Sequence, residues 1–342
     1  MKRKNYAGID FFRFFAALLV IAIHTAPLSF WNNDLDFLLT YCFGRIAVPF
    51  FLMTTGYFVL APHVLNGFGK KETMHRYLIK NTGLYLAATA FYFPLMLYSH
   101  NLPHSIAEFL KSLLFDGTFY HLWYFPAAVI GCNLILFFAA RSMKSAVIFS
   151  AAAYITGLLG DSCYGLVKDL PIISDLYDGI FQISSYTRNG IFFTPVFLLL
   201  GVFIAIPGLC CSKKACIRGI CISLPLLFLE GFLTYSAKLQ KHNSMYFFLL
   251  PVMYFLFQLL LTIPGKAPAW LRNCSMLIYI IHPAVIVLLR GIAKTANLTS
   301  LLVDNTLMHY FCVCLLSVAI VTGIRFLLER RSVYVSKRTR LD

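Results

Sequence analysis

Long apolar runs recur along the whole chain and are separated by short polar segments. A helix of about 17 to 25 apolar residues is long enough to cross the ~30 Å hydrocarbon core of a bilayer. The pattern therefore predicts an all-α polytopic membrane protein with ten transmembrane helices, of which the fifth is short. The predicted spans lie near residues 9–30, 41–60, 77–97, 122–140, 146–160, 190–206, 217–235, 245–263, 275–290 and 307–328.

The composition supports this interpretation. Hydrophobic residues make up 59% of the chain and charged residues 13%, which excludes an ordinary soluble domain. The first run is not a cleavable signal peptide, because it is too long and contains Arg13. We predict a single integral membrane domain over residues 1–342, with the lipid bilayer as its surroundings.

The distribution of charge fixes the predicted orientation. A formal net charge of +15 would suggest a nucleic-acid partner in a soluble protein. Here the basic residues fall on one side of the ten-span arrangement and most acids on the other, so nucleic acid is not an expected partner. The positive-inside rule places both termini in the cytoplasm. The basic segments are 2–4, 70–80, 141–144, 213–218, 266–272 and 330–340.

The longest polar segments, 98–121 and 161–189, are predicted to lie outside, and the second is apolar enough to fold over the outer face. The chain has 10 cysteines, mostly within spans or on the cytoplasmic side. Cys210, Cys211 and Cys216 lack the paired spacing of a zinc site, so we expect buried free thiols and no bound metal.

The first span carries two ionisable residues, Arg13 and His24. Eleven helical steps of about 100° bring them to one face, about 16 Å apart along the axis. Ionisable groups inside a bilayer are costly and usually face protein or water. A guanidinium at the cytoplasmic mouth suits donor phosphates, and a deeper imidazole suits a general base. Alternatively, Arg13 reaches lipid phosphates and His24 is a hydrogen-bonded structural residue.

Further polar groups extend this hypothesis. Arg76 and Lys80 lie one helical turn apart, so both can face one anion, or they simply anchor the third span. His282 lies near mid-membrane beside Pro283, which loosens the local backbone. Glu230, in the outer half of the seventh span, either holds a substrate ammonium group or forms a structural ion pair.

Four motifs together suggest a family. They are Arg13-x10-His24, Phe51-x2-Thr-Thr-Gly-Tyr57, Leu122-Trp123-Tyr124 and Tyr279-x2-His282-Pro283. In order and spacing they resemble the acyltransferase-3 family of integral membrane proteins. That resemblance implies transfer of an acyl group from cytoplasmic acyl-CoA to an acceptor outside. It places Arg13 and His24 at the catalytic positions. The expected substrate-binding or donor-binding residues are Arg76, Lys80, His121, Trp123, Tyr124, Glu230, Tyr279 and His282.

Within this family, segments 45–57 and 273–283 are similar to the membrane half of VanT-type serine racemases of vancomycin-resistant bacteria. This resemblance implies a bacterial cell-membrane location and a cytoplasmic pyridoxal-phosphate racemase domain, expected after residue 342. It also implies a role in supplying L-serine for D-serine and modified cell-wall precursors. The chain itself contains no such soluble domain and is expected to bind no cofactor.

Three functional hypotheses remain at this point. The first is a domain that binds and moves a small polar solute such as L-serine. The second is an acyltransferase with acyl-CoA as its donor substrate and His24 as its base. A third, an anchor for a cytoplasmic partner, accounts poorly for ten spans with polar groups inside them. The sequence leaves open whether the protein forms a homodimer.

Overall fold

A computed structural model describes residues 6–69, 71–100 and 102–338, and these contain helices but no β-strand. The predicted all-α fold class is confirmed. The helices are α1 (Ala7–Thr25), α2 (Asn33–Val64), α3 (Lys71–Tyr98), α4 (Ile106–Lys111), α5 (Tyr124–Arg141), α6 (Met143–Leu159), α7 (Pro171–Ile183), α8 (Thr194–Ile204), α9 (Lys213–Ser236), α10 (Leu249–Leu261), α11 (Ala269–Thr295) and α12 (Thr306–Arg338). The basic segment 2–4 and Lys70 lie outside the described residues.

Six described helices are long and apolar enough to cross a membrane, namely α1, α2, α5, α9, α11 and α12. Helices α6, α8 and α10 are apolar but shorter, and α3 begins with a polar segment. All ten predicted runs are thus helical, while the number of crossings stays a prediction. Helix α1 ends at Thr25, before the predicted boundary, because Ala26 adopts a left-handed conformation and Pro27 follows.

The described residues fall into two compact units. Unit one combines the residues up to Thr40 with those from Pro264 onward, so α1 packs against α11 and α12. Small and branched side chains form its core, including Ala17, Ile21 and Ile278. The Thr306 hydroxyl donates to the Pro27 carbonyl at 3.0 Å and joins the start of α12 to the end of α1.

Unit two contains residues 41–263 and is built around α8. This helix begins at a turn stabilised by Asn189 and is buried along most of its length. Gly56 of α2 and Gly201 of α8 allow the two backbones to touch, because a Cβ on Gly56 would overlap the Leu198 carbonyl. Helix α2 also contains two π-helical segments, 38–42 and 56–60, which are typical of functional regions.

Candidate functional site

In unit one, a single uninterrupted helix carries Arg13 and His24, as the sequence predicts. Arg13 lies 4.0 Å from the carboxylate of Asp10, one turn earlier on α1. His24, half-buried near the other end, stacks on His282 of α11, with 5.3 Å between ring centroids and 25° between planes. The structure therefore brings two of the predicted site residues into direct contact.

The imidazole of His282 is fully buried and is fixed by its own helix. Pro283 has no N–H, so it cannot donate to the Tyr279 carbonyl four residues earlier. Nδ1 of His282 lies 2.8 Å from that carbonyl and 3.3 Å from the carbonyl of Ile278. Because carbonyl oxygens only accept, Nδ1 carries a proton, and Nε2 is the basic nitrogen of the neutral ring. The paired imidazoles suit proton exchange or binding of a polar ligand.

The residues predicted at the start of α5 have separate surroundings in unit two. His121 is buried among aromatic rings, with the Tyr92 centroid 5.1 Å away. Tyr124 packs against Phe51 at 6.3 Å. Trp123 lies 5.3 Å below the guanidinium of Arg188. Trp123 therefore lies beside a charged group.

Arg76 and Lys80 are exposed on the first half of α3. Arg76 donates to the carboxylate of Glu72 at 2.9 Å, in a surface ion pair that contributes little to stability. The helix places Arg76 and Lys80 one turn apart, as expected, and their role in binding a donor stays a prediction.

Glu230 of α9 contacts the start of α10. Its carboxylate oxygens accept hydrogen bonds from the backbone N–H groups of Phe247, at 2.7 Å, and Phe248, at 2.9 Å. These N–H groups precede the first turn of α10 and have no partner within the helix. Glu230 thus caps a neighbouring helix, a structural role that the two predicted alternatives did not include.

Unit two also contains a polar cluster that includes none of the predicted site residues. The Asp161 carboxylate is buried, and its Oδ1 accepts from the backbone N–H groups of Ser244, at 2.6 Å, and Met245, at 2.9 Å. Nη2 of Arg45 donates to Oδ1 of Asn243. The sequence signal was the position of Arg45 and Asp161 at the ends of apolar runs, where ionisable residues are expensive to bury.

Burial and neighbouring charges shift the pKa values of two residues of this cluster, Asp161 and His242. Burial raises the pKa of Asp161 to about 6, although the two backbone hydrogen bonds and, to a smaller extent, the Arg45 and Arg188 guanidinium groups oppose the shift. Burial, together with the same two guanidinium groups, lowers the pKa of His242 to about 3, so this imidazole is neutral at physiological pH. The arrangement presents fixed positive and negative groups beside a neutral ring.

A metal site is not evident in the part of the chain that the structure describes, where no group of three or more His, Cys, Asp or Glu side chains is close enough to hold an ion. The expected absence of a bound metal or cofactor stays a prediction.

A comparison with protein families gives one match, in which the acyltransferase domain model of the acyltransferase-3 family covers residues 6–326. The chain belongs to the acyltransferase-3 family. The resemblance seen in the sequence motifs is thereby confirmed, and with it a multi-pass membrane protein. No solved structure matches this family member.

Three matching relatives are named as racemases. An amino-acid racemase from Enterococcus faecalis is 38% identical over 343 residues, which are 99% of the chain and 47% of the relative. A second from that species is 40% identical over 320 residues, 91% of the chain and 44% of the relative. A serine/alanine racemase from Enterococcus gallinarum is 34% identical over 351 residues, which are 99% of the chain and 48% of the relative. This acyltransferase-3 member spans about half the length of the relatives it matches.

Proposed function

We propose that this domain binds L-serine, or a similar small amino acid, within the membrane and supplies it to a racemase domain. The alignment with the Enterococcus racemases carries the proposal, since it covers nearly all of this chain and under half of each relative. We assign racemisation to the other half of such proteins. The D-serine formed would enter modified cell-wall precursors and contribute to vancomycin resistance.

Broken helices support passage of a polar solute. Helices α3, α9 and α11 contain interior prolines, Pro94, Pro225 and Pro283, each of which removes a backbone hydrogen bond. Transporters use such interruptions to offer backbone carbonyls to polar substrates. Pro283 frees the Tyr279 carbonyl in this way, and Nδ1 of His282 donates to it at 2.8 Å.

Uptake into proteoliposomes tests this proposal. Vesicles that contain the protein should accumulate labelled L-serine several-fold faster than empty vesicles, and excess unlabelled L-serine should suppress the uptake. Equal rates in the two kinds of vesicle would contradict the proposal.

A second candidate is acyl transfer from acyl-CoA, and the stacked His24 and His282 rings favour it. His24 would serve as the base, and Arg13 would hold donor phosphates about 16 Å away on the same face. Titration with acetyl-CoA tests this candidate. Arg13→Ala should weaken donor binding about tenfold or more, whereas His24→Ala should bind the donor but not transfer its acyl group. Wild-type protein that binds no acetyl-CoA would remove this candidate.

A further inference from the structure

Arg45 and Asp161 each carry a buried polar atom that the protein does not satisfy. Nε of Arg45 and Oδ2 of Asp161 have no hydrogen-bond partner among the described residues. Such groups are costly to bury, and an unsatisfied one requires an explanation. Adjacent residues hold the two side chains, because Arg45 donates to Asn243 and Asp161 accepts from the N–H of Ser244. Among the described residues, however, no ion pair joins them.

Both groups are held in place by their satisfied atoms. Oδ1 of Asp161 accepts two backbone hydrogen bonds, and its carbonyl accepts from the N–H groups of Lys241, at 3.0 Å, and His242, at 3.3 Å. Arg45 donates to Asn243, and its guanidinium lies 5.0 Å above the Tyr41 ring. The remaining donor and acceptor are therefore preorganised, which is typical of a binding site.

A second guanidinium borders this pair. Arg188 lies over the rings of Tyr186, at 4.6 Å, and Trp123, at 5.3 Å. The Tyr186 ring packs against the His242 ring, with 4.4 Å between centroids, and the backbone N–H of His242 donates to the Asp161 carbonyl. A phosphate would be repelled by the buried carboxylate, and a simple amine by the two guanidinium groups. A ligand with adjacent positive and negative charges can pair with a guanidinium group and with the Asp161 carboxylate at the same time.

We propose that Arg45 and Asp161, bordered by Arg188, form a binding site for the zwitterionic end of an α-amino acid. The ligand carboxylate accepts from Nε of Arg45, and the ligand ammonium donates to Oδ2 of Asp161. This inference rests on the proposed function and names the residues that recognise its substrate.

Binding of labelled L-serine to the full chain in lipid nanodiscs tests the site. Arg45→Lys keeps the charge but removes the Nε donor, and Asp161→Asn keeps the oxygen that accepts the backbone N–H groups. Each should weaken L-serine binding about tenfold or more. The matched controls are Arg141→Lys and Asp178→Asn, two exposed positions outside the cluster, which should bind as wild type does. Thermal unfolding checks that each variant is folded.

Two analogues of L-serine test which side chain binds the carboxylate of the ligand and which binds its ammonium group. L-Serine methyl ester lacks the carboxylate charge, and L-glycerate has a hydroxyl in place of the ammonium group. Each should bind the wild-type protein about tenfold more weakly than L-serine. Asp161→Asn should no longer distinguish L-serine from L-glycerate, and Arg45→Lys should no longer distinguish L-serine from its ester. If a variant does not fold, the test is the binding of L-serine and the two analogues to the wild-type protein alone. An analogue that binds this protein as tightly as L-serine overturns the site.

The outcomes separate this site from the proposed function. L-Serine binding that is equal in wild type, Arg45→Lys and Asp161→Asn overturns the site and leaves the proposed function standing. A wild-type protein that neither binds nor transports L-serine overturns both.

Discussion

At the scale of single residues, the histidines show what the sequence can and cannot predict. Their cost inside a bilayer marks His24 and His282 as candidates, and helix periodicity places Arg13 and His24 on one face. The contact between His24 and His282 depends on how α1 packs against α11, which periodicity does not determine. Asp161 was predicted to lie in an outer loop, and its burial arises from the backbone of residues 241–245, far along the chain.

Asp161 gives a prediction for the pH dependence of stability. Its pKa rises from 3.8 in the unfolded chain to about 6 in the native state, so the native state binds this proton more tightly between those values. The stabilisation is complete below about pH 4 and is lost as the pH rises through about 6, a change of about 3 kcal/mol. The melting temperature of wild type minus that of Asp161→Asn should therefore become smaller from pH 4 to pH 7, because only wild type loses this stabilisation. A difference that stays constant or grows would contradict this assignment.

At the scale of elements, hydrophobic runs predict the existence of helices better than their ends or contacts. The run predicted at 41–60 is helical from Asn33, because the Asn32 side chain accepts from the N–H groups of Asp34 and Leu35. Gly56 was recognised only as part of a motif. Its physical role, close approach to α8, depends on a partner helix that the sequence pattern does not identify.

The helix contact at Gly56 can be tested by adding one methyl group. A Cβ on Gly56 would meet the Leu198 carbonyl oxygen at 2.1 Å, and one on Gly201 would meet the Met53 carbonyl oxygen at 2.5 Å. We expect Gly56→Ala and Gly201→Ala each to destabilise the protein by about 3 kcal/mol or more, because backbones must separate. Gly83→Ala, with no atom within 4 Å of the added group, should be neutral or slightly stabilising. Equal melting temperatures for all three variants would contradict the close contact.

Variants of Glu230 can distinguish a structural role of this residue from a role in binding the ligand. Glu230→Ala leaves two backbone N–H groups uncapped and should lower stability by about 2 to 3 kcal/mol, while Glu230→Gln should cost less because it keeps one acceptor. L-Serine binding should persist in folded Glu230→Gln protein. Unchanged thermal unfolding combined with lost L-serine binding would instead assign Glu230 to the ligand.

At the scale of the whole molecule, composition predicted a membrane protein and the motifs predicted its family, which the match over residues 6–326 confirms. The two compact units were not predicted, because unit one unites the beginning of the chain with residues from Pro264 onward. The orientation in the bilayer rests on the distribution of basic loops.

Thiol labelling tests that orientation. Cys210 was expected to be buried but is exposed. A membrane-impermeant maleimide applied to intact cells should label Asp178→Cys, an exposed position of α7, and should label Cys210 only after permeabilisation. The unsubstituted chain controls for labelling of other cysteines. The reverse pattern would place the termini outside.

Movement of L-serine by this domain is tested by uptake into proteoliposomes that contain His24→Ala, measured beside wild type. A catalytic base is indispensable for acyl transfer but not for passage of a solute. We predict uptake several-fold above empty vesicles for wild type and substantial uptake for His24→Ala. Wild-type uptake no faster than that of empty vesicles would contradict the claim.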